Sequence, residues 1–89
     1  MLKTKKGFIM RKLATEYMVV AVGDAADGFN GMIQLNETGA FLWERLEKGT
    51  DVDTLVKAIM DSFESIDEVT ARKDIEGFLD EVSVAIEKQ

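Results

Sequence analysis

The spacing of apolar residues changes once along this 89-residue chain, at Asn36, and that change constrains the fold more than any other feature. Before Asn36 the apolar residues alternate or cluster in short runs between turn residues, as in strands. Phe8 to Leu13 reads as a first strand and Ala14-Thr15 as a tight turn. Tyr17 to Val22 is rich in β-formers and apolar on both faces, so it is expected to be a central strand covered on both sides. Gly23 to Gly31 holds turn-forming Gly, Asp and Asn and reads as a loop. Met32 to Leu35 is a short third strand, with Ile33 and Leu35 on one face and Met32 and Gln34 on the other.

After Asn36 the pattern is helical. Asn36 suits a helix N-cap, because its side chain can accept from the free amides of the first turn. The helix that follows carries Ala40, Phe41, Leu42, Trp43 and Leu46, and Gly49 is its expected left-handed stop. Thr50 to Asp53 resembles a capping box for a second helix. Val52, Leu55, Val56, Ile59, Met60 and Phe63 then form a single apolar stripe. Ser65 to Glu68 offers another box, and the last helix is expected to run from about Asp67 to Glu87 on a stripe of Ile75, Phe78, Leu79, Val82 and Ile86. Gly77 falls on the polar side of that helix. The order is β-β-β-α-α-α. Three short strands cannot bury both faces alone, so the helices must pack on them. The expected fold class is α+β and winged-helix-like, a three-stranded antiparallel sheet followed by three helices. It forms one domain over residues 1–89, with residues 1–7 as a basic arm.

Composition narrows the chemistry. The chain has no Cys and no His, which removes disulfides, thiolate or imidazole metal ligands, and the commonest general base. No apolar run approaches the roughly 20 residues of a transmembrane helix, and Arg11 and Lys12 interrupt any signal-like stretch. The expectation is a cytoplasmic protein with no membrane partner. Lys3, Lys5, Lys6, Arg11 and Lys12 make the first twelve residues +5; the rest holds all 17 acids and 6 bases, −11, for a net −6. The basic segment reads either as a solubilising tail or as a docking arm for an acidic partner. Nucleic-acid binding is disfavoured, because phosphate affinity needs clustered cations and the last helix sets Arg72 and Lys73 against seven acids.

No motif supports catalysis. Asp61-Ser62-Phe63 invites comparison with the carrier-protein attachment motif, yet Ser62 falls at a helix end rather than a start. The acids near the helix starts lack the alternating spacing of a calcium loop and are explained by capping. The Gly23 to Gly31 segment has no phosphate-loop Lys with Ser or Thr. No catalytic residue, metal ligand or cofactor is expected. An interaction surface remains. The third strand reads as a sheet edge, and an edge presents N–H and C=O groups that can template a visiting peptide.

The stretch Ile33-Gln34-Leu35-Asn36-Glu37-Thr38-Gly39-Ala40-Phe41-Leu42-Trp43-Glu44 is the most specific in the chain. With Leu46…Gly49-Thr50, the Val52 to Ile59 helix, Phe63-Glu64-Ser65-Ile66-Asp67 and Phe78-Leu79, it resembles the PqqD-like family, also called the RiPP recognition element. The resemblance runs from about Phe8 to Ile86. Val82-Ser83-Val84-Ala85-Ile86 departs from the family's usual Gly-Leu ending of the last helix.

The resemblance implies a non-catalytic chaperone. It would bind the leader of a ribosomally made precursor peptide as an added strand and present it to a modifying enzyme, often a radical SAM enzyme, as in the biosynthesis of pyrroloquinoline quinone (PQQ). The peptide-binding residues carried over are Met32, Ile33, Gln34 and Leu35 on the strand, and Arg72, Ile75, Glu76, Leu79 and Val82 on the last helix. The chain would act as a monomer or homodimer. The alternatives are an assembly or regulatory module that pairs through the same edge and a DNA-binding winged helix.

Overall fold

A computed structural model describes residues 1–29, 31–63 and 66–88. The strands β1 (Leu2–Thr4), β2 (Phe8–Leu13) and β3 (Glu16–Ala21) lead to a short helix, α1 (Ala25–Gly28), and then β4 (Met32–Leu35). The helices α2 (Glu37–Lys48), α3 (Val52–Ser62) and α4 (Glu68–Glu81) follow, then a 3-10 turn (Ser83–Ala85) and β5 (Ile86–Lys88). The expected α+β arrangement is present: β2, β3 and β4 form an antiparallel sheet with β3 in the centre, and the three main helices come after it.

The hairpin between β2 and β3 closes on Leu13 and Glu16, so Ala14-Thr15 is a two-residue turn, with Ala14 at φ 57°. A positive φ at the first central position matches the right-handed strand twist, which is why such turns join tight hairpins. Asn36 caps α2 by accepting from Gly39 N at 2.8 Å, and Gly49 ends it at φ 88°. Any Cβ at Gly49 would sit 2.9 Å from Met1 Sδ.

One core joins the sheet to the helices. Val19 and Leu35 from the sheet meet Leu42, Trp43 and Leu46 of α2, Leu55, Val56 and Ile59 of α3, and Ala71, Ile75 and Phe78 of α4. Trp43 is fully buried, as its place in the helix pattern requires. Its indole N–H finds no acceptor among the described residues. That costs roughly 1–3 kcal/mol, less than the gain from burying so large a ring.

Four expectations are corrected. The basic arm is a strand: β1 pairs antiparallel with β5, Leu2 opposite Lys88 and Thr4 opposite Ile86, and Leu2 bridges Thr50. The last helix stops at Glu81 rather than Glu87. Val82-Ser83-Val84-Ala85-Ile86 alternates apolar and small residues, and the chain leaves the helix there to pair with β1. The cap of α3 is Asp51, not Thr50, because both backbone groups of Thr50 bond to Leu2. Asp67 caps α4; Ser65, the expected cap, lies outside the described residues. Finally, β3 is covered on one face only. Val19 is buried, but Met18 and Val20 on the other face are partly open, beside the exposed Ile9, Leu13 and Met32.

Candidate functional site

The register shows which backbone groups of β4 are committed. In an antiparallel pair, alternate residues turn their N–H and C=O toward the same neighbour. Val22 N donates to Gly7 O, so Ile9, Arg11 and Leu13 are the β2 residues that bond to β3. Tyr17 and Val19 therefore turn toward β4, where they face Leu35 and Ile33. By the same alternation the N–H and C=O of Met32 and Gln34 point away from β3, to the open edge of the sheet.

Beside Gln34 and Leu35 lies a groove of about 740 Å³. The start of α2 forms one wall with Asn36, Thr38, Gly39 and Leu42, and α4 forms the other with Lys73, Asp74, Gly77, Phe78 and Glu81. The floor is apolar, made by the buried Leu35, Leu42 and Phe78, and the rim is polar. Gly39 holds the walls together: a Cβ there would press on Asn36 Oδ1, Leu35 Cβ and Phe78 Cε1, each at 3.3 Å. Gly77 is different, since a Cβ there would meet nothing within 4 Å. A glycine in a helix interior costs about 1 kcal/mol against alanine.

Of the residues expected on the strand side, Gln34 and Leu35 line the groove. Ile33 packs against the core, and the Met32 side chain stands on the outer sheet face, 62% exposed. On the helix side the expected residues fall elsewhere. Ile75 and Val82 are fully buried in the core. Arg72 turns toward α3, where its Nη2 donates to Asp53 Oδ1 at 3.0 Å, and this bond raises the guanidinium pKa further. Leu79 lines a second, smaller cavity of about 450 Å³ with Leu2, Val52 and Ile86. Glu76 is exposed and outside the groove. The groove face of α4, on 73, 74, 77, 78 and 81, lies nearly opposite the expected one. At about 100° per residue the two sets are centred roughly 160° apart. Gly77, a costly residue on the polar side of a helix, was the available signal for that face.

Among the described residues no group of three His, Cys, Asp or Glu gathers to hold a metal, and no helix is long and apolar enough to cross a membrane.

No curated protein matches the chain. Among solved structures it is similar to one titled "TbiB1 in Complex with the TbiA(beta) Leader Peptide", at TM-score 0.72 and 21% identity over 91% of this chain and 87% of that one. That likeness places the whole arrangement of sheet and helices in a known fold. The model of the family described as "Coenzyme PQQ synthesis protein D (PqqD)" matches residues 13–83, which include β4, α2 and both walls of the groove. The chain belongs to the PqqD family.

Proposed function

We propose that this protein binds the leader of a ribosomally made precursor peptide and presents it to a modifying enzyme, without catalysing a reaction itself. The observation that carries the reading is the open edge of β4 facing an apolar-floored groove. An extended peptide laid there bonds through its main chain to Met32 and Gln34 and seats alternate side chains between β4 and α4. Membership of the PqqD family and the likeness to a protein solved with a leader peptide support the same reading. The contact residues are then Gln34 and Leu35 of β4, Thr38, Gly39 and Leu42 of α2, and Lys73, Asp74, Gly77, Phe78 and Glu81 of α4. The enzyme's class, radical SAM or other, and the product, PQQ or another, follow from the peptide that is bound.

The test begins with a photo-crosslinking residue at Gln34 in a lysate of the source cells. The expected capture is a short ribosomal precursor, held through its N-terminal part. A synthetic copy of the captured segment is then titrated against Gln34→Pro. Proline removes one edge donor while sparing the bonds from Ile33 and Leu35 to β3. Losing that bond, at about 1–1.5 kcal/mol, weakens binding roughly tenfold. Unchanged affinity would remove β4 as the docking edge.

The uncovered outer face of the sheet, with Ile9, Leu13, Val20 and Met32, favours a second reading as an assembly module. A concentration-dependent dimer in sedimentation, with no peptide captured, selects it.

A further inference from the structure

Gly77 has no task in the fold. It lies inside the 14-residue helix α4, and its φ is not among the positive ones. No neighbour approaches closely enough to exclude a side chain. Gly39 on the opposite wall is the contrast, because three atoms press on the space its Cβ would fill. Two glycines therefore line one groove, one demanded by packing and the other not. The helix would be more stable with almost any other straight-chain residue at position 77. What the absent side chain does provide is room over an apolar floor of Leu35, Leu42 and Phe78.

A strand added to β4 would run about 4.8 Å from it and turn every second side chain inward, on the face of Ile33 and Leu35. Those inward side chains meet α4. Lys73, Asp74 and Glu81 stand one turn before and after Gly77 and fence the open spot with charge at the rim. The floor beneath offers only hydrocarbon and an aromatic ring, so an inserted polar tip would find no partner there.

We infer that Gly77 sets the specificity of the groove: the bound segment carries one large apolar side chain, of the Leu, Met or Phe class, that seats over Gly77 against Leu42 and Phe78. This rests on the reading of the groove as a peptide site. It adds a class of residue that the ligand must contain and names the residue of this chain that admits it.

The experiment uses a displayed library of random 12-residue peptides, selected in parallel on the full chain and on Gly77→Leu. Leucine is a good helix former, so the variant is expected to melt at or above the wild-type temperature, which separates blocking from misfolding. The wild type should enrich peptides with a large apolar residue at one position of an alternating pattern. Gly77→Leu should enrich small residues at that position and bind the wild-type-selected peptides at least tenfold more weakly. Gly77→Ala, which adds one methyl, should fall between the two. Enrichment of the same large residue by both proteins, or of Lys or Arg over the Gly77 position, would overturn the inference and leave the peptide site standing. No enrichment on the wild type above an unrelated protein would remove the peptide site and the inference together.

Discussion

Among the described residues, Ala14 is the one non-glycine with a positive φ. It occupies φ 57° in a two-residue turn, where the Cβ of an L-residue crowds the following carbonyl at about 1–2 kcal/mol. Glycine avoids that crowding but loses more freedom on folding, about 0.4–1 kcal/mol. Ala14→Gly is therefore expected to stabilise the protein by about 0.5–1 kcal/mol, read as a higher urea midpoint at unchanged slope. A lower midpoint would mean that the turn carries no strain. The position of the turn was legible in the sequence; the sign of φ was not, because alanine advertises no preference for it. At Asn36, Gly39 and Gly49 residue type and role coincide, since a short polar cap, a close approach and a left-handed stop each admit few residues. Gly77 was legible as a cost, whereas its place on the groove wall was not.

At the scale of elements, α3 and α4 begin alike. Asp51 accepts from Thr54 N at 2.8 Å and Asp67 from Thr70 N at 2.7 Å. These amide bonds, helped by the threonine hydroxyls, hold both carboxyls below the usual carboxylate pKa. A depressed folded-state pKa stabilises above the unfolded value of about 3.9 and loses that contribution as pH falls through the lower folded value. The melting temperature should therefore hold from neutrality to about pH 5 and fall below about pH 4. The double variant Asp51→Asn, Asp67→Asn keeps a capping oxygen but cannot titrate, so its acid limb should be shallower. An identical limb in both proteins would assign the acid sensitivity to other carboxylates. The helices themselves were readable from their stripes, but the cap of α3 was displaced by one residue. Thr50 reads as the start of a capping box, yet its backbone is drawn into the bridge with Leu2, which leaves Asp51 to cap.

Across the whole molecule the two ends of the chain hold each other. β1 lies between Thr50 and β5, bonded to Thr50 through Leu2, and just beyond it Lys5 N donates to Ala85 O at 2.7 Å. Removing residues 1–5 forfeits several hydrogen bonds at about 1 kcal/mol each and the partial burial of Leu2 at about 1 kcal/mol. A loss of about 2–4 kcal/mol is expected, a large share of a total on the order of 4–13 kcal/mol for a chain this size. Chemical denaturation of the truncated chain checks it; an unchanged midpoint would return the segment to the status of a tail. By itself the sequence determined the elements whose signals are local: the change of period at Asn36, the three strands of the main sheet, the Asn36 cap of α2 and the buried Leu55, Val56 and Ile59 of α3. Only the tertiary structure decided the pairing of β1 with β5, because strands more than 80 residues apart leave no mark in each other's sequence. It also decided which face of α4 borders the groove. A stripe shows which side chains leave water, but the groove lies at the stripe's margin, and its side depends on where the free edge of β4 comes to rest against the helix.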